Sequence, residues 1–564
     1  MPADDNLLAR VLRRQARERS EHLLLVCDQE RISYADAESR SARLARALIA
    51  LGAGKGTHIG LLYPNGADFV VGAFAAARIG AVVVPFSTFS TSRELGAQLV
   101  GSDIRILLAT AGYRTHDYVA RLSELLPGAF DSDAARAGDR LLCPAAPQLR
   151  HIAIDYAPAN PRTQGPAATR PALPDVPGPH DGRIGLSGRR IRDIGELDPL
   201  ADTVDEKLLA AVERDVDAAD PLAIIHTSGS TSAPKGVVHT HGGLLGHQRN
   251  LNEIRHLTPG DRLFCNSPFF WIGGFGYALL ASLLAGSRLI CSNATDASAT
   301  LDLLEAEKPT VTNGFAGGVA HLARHPSFAG RDLCSMRRGN LYAIMPADAR
   351  PADPELRHNM LGMTEAGSVV LLSGDDSDQP EHRRGSFGKS APGFDTRIVD
   401  PDTGADAAIG EAGELYIRGP YVMQGYYGRS REQSFDADGW FHTGDLVRVD
   451  DEGFFYFLGR RGAMIKTAGA NVSPAEVEMA ITKITGATAH VLGLPDPDRG
   501  QIVAAVLVTP DDATVDETAL RERLRQELSA YKVPRRFAAL RPADVPLLAG
   551  GKVDIQRLGE IFHA

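Results

Sequence analysis

The chain has 564 residues, of which 44% are hydrophobic and 23% charged, and its formal net charge is -10. That length exceeds what one hydrophobic core can organise, so several packed units are expected, and the composition is that of a globular protein rather than a disordered or fibrous one. The acidic balance excludes a general nucleic-acid binder, which needs a basic field to draw in phosphates.

Near the start, Arg10, Arg13, Arg14, Arg17 and Arg19 are interleaved with Leu7, Leu8, Val11 and Leu12. The pattern predicts an amphipathic helix with a solvated basic face; a membrane or RNA anchor is the alternative. Residues 41–51 have helical apolar spacing and stop at Gly52, and 58–62 read as a buried strand. Asn65-Gly66 marks a turn, 69–79 a helix and 80–85 another strand. This β-α-β alternation predicts layered α/β architecture, and no internal repeat is visible.

The proline-rich stretch 157–179 reads as a surface loop or insertion. Residues 220–226 form a strand that delivers the chain into a hydroxyl-rich loop. From Leu263 to Ser287 no residue is charged, a length that could span a membrane. Asn266, Ser267, Pro268, Gly273, Gly274 and Gly276 interrupt it, so a buried strand-turn-helix is expected. Residues 413–459 are a run of short strands and turns. After Gly459 the texture becomes that of a small α+β unit, in which Ser473-Pro474-Ala475-Glu476 starts a helix: serine can cap, proline suits the first position and Glu476 can close the capping box. The expected division is a large N-terminal domain, 1–459, and a small C-terminal one, 460–564.

Cysteines stand at 27, 143, 265, 291 and 334, scattered and without a CxxC spacing. No disulfide framework or zinc site is expected, and a reducing, cytoplasmic setting fits. The first residues carry Asp4 and Asp5 and no long apolar run, so no signal peptide is expected.

The strongest local signal is Thr227 to Gly236, TSGSTSAPKG. Hydroxyls at Thr227, Ser228, Ser230, Thr231 and Ser232, glycines at 229 and 236 and the cation of Lys235 together suit anionic oxygens. Its lysine follows proline and precedes glycine, so it is not the GxxxxGK[ST] phosphate loop. A flexible linker would lack the apolar flanks Ala223, Ile224, Ile225, Val237 and Val238. His239 and His241 form an H-x-H pair without a third ligand, so no structural metal is expected there. No GxSxG and no Ser/His/Asp grouping points to hydrolysis.

TSGSTSAPKG followed by His239-Thr240-His241 resembles the phosphate loop of the adenylate-forming superfamily, which includes acyl-CoA synthetases, peptide-synthetase adenylation domains and luciferases. The resemblance continues in order from about Ser33 to Leu558. It implies a multidomain α/β and α+β fold: a large N-terminal domain of layered α/β subdomains with a β-rich subdomain, and a small mobile C-terminal domain. It also implies ATP, Mg²⁺ and coenzyme A as cofactors or co-substrates.

In the matching motif Gly362-Met363-Thr364-Glu365, Glu365 would bind Mg²⁺ and Thr364 would contact phosphate, because departing pyrophosphate carries charge that a divalent ion offsets. Gly362 and Met363 complete this nucleotide-binding stretch, and Leu361 stands where the family usually has an aromatic residue beside adenine. In Gly439 to Asp445 the resemblance assigns Asp445 to the ribose hydroxyls, with Arg460 as its companion. Gly462 falls at the hinge, where the family usually has Asp or Lys; glycine makes a pivot easier to turn. Lys466 and Gly469 match the segment lining the passage for the pantetheine arm of CoA, and Lys552 matches the adenylation lysine. Thr364, Glu365 and Lys552 are thus the expected catalytic residues.

Pro268 to Gly276 matches the acyl-pocket region, with Trp271, Gly273, Gly274 and Phe275 as lining, and residues 312–318, including Gly314, as another wall. Residues 339–346 depart from the Gly-Gly-Ala-like stretch usual near adenine and the acyl carbonyl. No Asp is present to pair with an α-amine, so the expected substrate is a small-molecule carboxylic acid that is fatty or bulky and ring-bearing. The sequence runs only a few residues past Lys552, so no fused carrier domain is expected, and free CoA is favoured over a separate carrier protein. A non-catalytic nucleotide-binding protein of the same fold is the reading from another class. No nucleic-acid partner and no transmembrane segment are expected, and assembly of identical chains is left open.

Overall fold

A computed structural model describes residues 6–90, 92–127, 129–130, 143–156, 191–227, 235–460, 465–467, 470–472, 474–496, 499–509, 516–528, 532–548 and 553–563. The expected insertion at 157–179 lies outside them, as do Ser228, Gly229, Ser230, Thr231, Gly462, Gly469, Ser473 and Lys552; Lys466 is described in its backbone alone. The chain forms two compact units. The first comprises Met1–Pro380, Ala391–Phe394 and Gly419–Ser434, and the second Glu381–Ser390, Asp395–Arg418 and Phe435–Ala564. Compactness thus groups the strand-rich 395–418 and 435–460 with the C-terminal residues.

In the first unit, eight strands among the described residues run in the spatial order Gly425–Tyr426, Gly236–Thr240, Pro221–His226, Val82–Pro85, His58–Leu62, Ile106–Thr110, His151–Asp155, Ile191–Asp193. The six from Pro221–His226 onward are mutually parallel, and the other two are added antiparallel. A second sheet is parallel through Arg338–Gly339, Val311–Asn313, Arg262–Cys265, Arg288–Cys291 and Leu23–Cys27, with Glu30–Ser33 antiparallel at its edge.

One core joins the sheets through the helices Tyr34–Ala50 and Ala67–Arg78. The second helix is buried at every position except Asp68, because Phe69, Val70, Val71, Ala73, Phe74 and four further alanines leave it no polar face. A helix apolar all round belongs in an interior, and burying a side chain such as Phe69 or Phe74 contributes roughly 1.5–3 kcal/mol each. Arg78, 1% exposed, is held there by Glu213 at 2.6 Å and Glu38 at 2.9 Å. The uncharged 263–287 stretch folds as expected: the strand Arg262–Cys265 is followed by helical turns from Ile272 to Ala285 inside the core. No helix among the described residues is long and apolar enough to cross a membrane.

The second unit carries an antiparallel sheet of Asp395–Val399, Gly413–Arg418, Phe441–Val449 and Phe455–Arg460. It also carries an α+β sandwich in which the strands Thr488–Asp496, Gly500–Val508 and Arg536–Leu540 are covered by helices Pro474–Thr485 and Glu517–Glu527. Val477, Ile481, Val491, Val503, Leu520 and Leu524 fill the space between them.

Candidate active site

The strands on either side of the hydroxyl-rich stretch form a hairpin, with 228–234 outside the described residues. Pro221–His226 and Gly236–Thr240 pair antiparallel, with His226 opposite Gly236. Leu222, Ala223, Ile224 and Ile225 are buried, so the apolar run roots the hairpin in the core. Its neck is closed by the Thr227 N–H donating to Lys235 O at 3.0 Å and the Lys235 N–H donating to Thr227 Oγ1 at 3.4 Å. Gly236 permits this closeness: a Cβ there would lie 2.6 Å from Ile224 Cγ2.

A second hairpin brings Thr364 and Glu365 beside that neck. Leu361–Met363 and Ser368–Leu372 pair antiparallel around the turn Thr364–Ala366, closed by Gly367 at φ +70°, where glycine adopts the left-handed backbone without strain. The turn is held from below. His239 Nε2 donates to Thr364 O at 2.7 Å, Gln248 Nε2 to Gly367 O at 2.8 Å and His247 Nε2 to Val369 O at 2.9 Å. Burial pushes both imidazoles down to about 4, so they are neutral, and a carbonyl partner places the proton on Nε2.

From the side, the Met423 N–H donates to Glu365 O at 2.9 Å and Tyr426 Oη to Glu365 Oε1 at 2.8 Å. Lys235 Nζ lies 4.9 Å from the centre of the same Tyr426 ring. Glu365 Oε2 and Thr364 Oγ1 have no hydrogen-bond partner among the described residues. Two hard oxygen donors left open in this way fit Mg²⁺, which takes oxygen ligands and keeps several waters.

The expected wall at 312–318 adjoins the 339–346 stretch. Val311–Asn313 and Arg338–Gly339 are parallel neighbours, with Thr312 opposite Gly339. Beyond them the loop at Gly314–Phe315 is clamped by two carboxamides. Asn340 accepts from the Gly314 N–H at 3.1 Å and donates to Gly314 O at 2.9 Å, while Asn266 accepts from the Phe315 N–H at 2.8 Å and donates to Phe315 O at 2.9 Å. Gly314 sits at φ +144°, and a Cβ there would collide with Asn266 Oδ1.

Trp271 is half-buried and meets Phe270 edge-on at 5.4 Å. The space over Gly273 is open, its nearest neighbour being Ser267 Oγ at 3.8 Å. Gly274 and Phe275 face inward instead: a Cβ on Gly274 would strike the Pro268 carbonyl, and Phe275 is 0% exposed, 6.2 Å from Phe69 in the core. A cavity of about 380 Å³ adjoins the clamped loop, lined in part by Tyr277, Thr312, Asn313, Gly339, Asn340 and Met360.

In the second unit, Asp445 and Arg460 face each other across adjacent strands, Arg460 Nε donating to Asp445 Oδ1 at 2.6 Å. Burial pushes the Asp445 carboxyl above its ordinary value, and Arg460 opposes that shift. Within the strand Gly444 takes φ +74°, its N–H donates to buried Glu414 at 2.9 Å, and the Asp445 N–H is tied to Thr443 Oγ1 at 3.0 Å. Asp445 Oδ2 has no partner among the described residues.

The sequence profile of the AMP-binding enzymes matches residues 12–427, and that of the AMP-binding enzyme C-terminal domain matches residues 476–552. The chain belongs to this family. It is an AMP-forming acid–thiol ligase of the adenylate-forming superfamily. A feruloyl-CoA synthase of an Amycolatopsis species is 31% identical over 511 residues, 89% of each chain. The 4-coumarate–CoA ligase 2 of Oryza sativa subsp. japonica is 28% identical over 547 residues, covering 92% of this chain and 86% of that one. ATP-bound MatB from Rhodopseudomonas palustris shares the fold, with a TM-score of 0.75 at 24% identity over 98% of this chain and 99% of that one.

For this AMP-binding enzyme the structure adds residues that sequence reasoning missed. His239, in the sequence half of an H-x-H pair at the end of the stretch that resembles the family's phosphate loop, props the Thr364 turn; His247, Gln248 and Tyr426 act on the same turn. In the sequence Asn266 is one polar residue opening an apolar run, and Asn340 is part of a departure from the family pattern; neither signals a clamp. A buried polar side chain beside an expected loop is a signal for such a prop, since burial demands a partner.

Proposed function

We propose that this AMP-binding enzyme activates a carboxylic acid with ATP as its acyl-AMP and then transfers the acyl group to coenzyme A. The observation that carries the reading is the meeting of Lys235, Thr364 and Glu365 at the neck of the hydroxyl-rich hairpin, within a chain matched over both family regions. A carboxylate oxygen of the acid attacks the α-phosphorus of ATP, the phosphorus–oxygen bond to the β-phosphate breaks, and pyrophosphate leaves with the electron pair. The CoA sulfur then attacks the acyl carbon, AMP departs, and the thiol proton passes to solvent.

Thr227, Ser228, Gly229, Ser230, Thr231 and Lys235 hold the phosphate oxygens in this reading, beside Gly362 and Met363. Thr364 and Glu365 would hold Mg²⁺, which supplies charge to offset the departing pyrophosphate. Asp445, with Oδ2 open and Oδ1 fixed by Arg460, accepts from the ribose hydroxyls. Lys552 steadies the charge gathering at the acid oxygen and α-phosphate. Gly462 is the pivot between 1–459 and 460–564, and Lys466 and Gly469 border the pantetheine passage.

The acid is a bulky ring-bearing one. The half-buried Trp271 and the open space at Gly273 support a planar group over a long alkyl chain. The names of the relatives, a feruloyl-CoA synthase and a 4-coumarate–CoA ligase, agree with that shape. The test is a panel of ring-bearing, fatty and amino acids, with ATP and either CoA or a carrier protein as acceptor, read by mass spectrometry of the thioester. Ring-bearing acyl-CoA is expected; thioester on the carrier alone, or turnover confined to amino acids, contradicts the proposal.

A further inference from the structure

Lys235 and Glu365 carry opposite charges at the mouth of the same hairpin, and no ion pair joins them among the described residues. Tyr426 stands between them. It ends the short strand Gly425–Tyr426, which pairs with Gly236–Thr240 so that Tyr426 lies opposite Val237, immediately beside the neck. The ring is 9% exposed. Its face receives the Lys235 ammonium, 4.9 Å from the centroid, and its hydroxyl donates to Glu365 Oε1 at 2.8 Å. The Arg429 guanidinium also lies 5.7 Å from the ring centre.

We propose that Tyr426 is a positioning residue that holds the cation and the carboxylate apart and aims both, a role that rests on the reading of Lys235 and Glu365 given above. The geometry separates two tasks in one side chain. The hydroxyl occupies one carboxylate oxygen and so fixes the rotation of the Glu365 head group, leaving Oε2 turned free for a metal beside Thr364 Oγ1. A glutamate without that bond would sample several rotamers and lose freedom on binding a metal. The ring face holds the ammonium through its quadrupole without neutralising it, so the charge stays available to phosphate. Without the ring, the two charged groups could pair with each other, and each would then have to be pulled from the other before nucleotide could use it.

Two variants separate these tasks. Tyr426→Phe keeps the ring and removes the hydroxyl; Tyr426→Leu removes both. The readout is ATP binding by calorimetry without acid, so that no turnover occurs, titrated across Mg²⁺ concentration and repeated in EDTA. For Tyr426→Phe the Mg²⁺ needed for half-maximal tight binding should rise about five- to tenfold, with metal-free ATP affinity unchanged. For Tyr426→Leu the metal-free affinity should fall as well, by roughly fivefold. Tyr426→Phe placed in a Glu365→Gln background should add nothing to the Mg²⁺ requirement, because the carboxylate it positions is gone.

Equal loss with and without Mg²⁺ in Tyr426→Phe, or no change in Mg²⁺ requirement, overturns the proposal. The control for the underlying reading is Glu365→Gln alone. If that variant leaves the Mg²⁺ dependence of ATP binding intact, the metal assignment of Glu365 itself fails. If it abolishes the dependence while Tyr426→Phe leaves it untouched, only the role of Tyr426 fails. Should Tyr426→Leu not fold, the Tyr426→Phe and Glu365→Gln cycle decides the question alone.

Discussion

Lowering the pH from 7 to 5 is expected to destabilise the first unit through histidines that burial keeps neutral. His226, His239, His241 and His247 are all pushed down to about 4, with burial as the leading cause in each. In the unfolded chain an imidazole titrates near 6.5, so between about 4 and 6.5 the unfolded state binds the extra proton. Stability therefore rises with pH across that window and is lost as pH falls through it. Integrating one such shift from pH 7 to pH 5 gives about 2 kcal/mol per histidine. Four of them sum to roughly 7 kcal/mol as an upper bound, comparable to the whole stability of an ordinary domain. Glu30, raised by burial, titrates in part of the same window with the opposite sign, so the clean comparison is between variants.

His241 is the best probe, being 0% exposed with neither ring nitrogen hydrogen-bonded among the described residues. It borders a cavity with room for local adjustment. His241→Phe should be neutral or slightly stabilising at pH 7, since it removes unsatisfied buried nitrogens, and should recover about 2 kcal/mol at pH 5. The two tryptophans fall one in each unit, Trp271 in the first and Trp440 in the second. Urea unfolding in a Trp440→Phe background, followed by Trp271 fluorescence at both pH values, isolates the unit concerned. An identical loss of stability between pH 7 and pH 5 with and without His241 would refute the argument.

Asp445→Asn should raise the KM for ATP about 10- to 100-fold, by loss of a charge-assisted contact, while leaving the KM for the acid little changed; pyrophosphate exchange measures both. Lys552→Ala should slow acyl-AMP formation on the order of 10²–10³-fold while sparing thioester formation from supplied acyl-AMP, and equal loss of both half-reactions counts against its role. Gly314→Ala forces a side chain onto Asn266 at a backbone angle that disfavours one, and should raise the KM for the acid roughly tenfold with the KM for ATP unchanged.

What the sequence made legible was local. The strand 220–226 was legible because its apolar residues must be buried, and it stands at Pro221–His226; that Gly236–Thr240 returns antiparallel beside it was not. The helix Ala67–Arg78 was legible from its apolar content and the turn before it. Facing was not legible where every neighbour is apolar: in PFFWIGGFG nothing in the spacing says that Trp271 stays half-buried while Phe275 turns to Phe69. Long-range props were also hidden. His239 and Thr364 are 125 positions apart, and no local pattern announces that an imidazole at one end of a strand will meet a carbonyl on another hairpin. Asn266 and Asn340 each look like a loop residue until the strands that carry them are laid side by side.

Those props share a property that bears on the chemistry. Thr364, Gly367 and Val369 offer carbonyls, and the donors that meet them are His239, Gln248 and His247. An arginine or lysine could make the same bonds, but would place extra positive charge under the turn that presents Glu365, in competition with a metal for that carboxylate. Neutral donors fix the backbone without adding to the field, and burial is what keeps the two imidazoles neutral at physiological pH. The charge beside the hairpin neck is then carried by Lys235 and Glu365, with Tyr426 between them and Arg429 near the same ring. On this account the apolar packing around His239 and His247 is part of the site's electrostatics: loosening it would raise their pKa values towards 6.5 and charge the cradle.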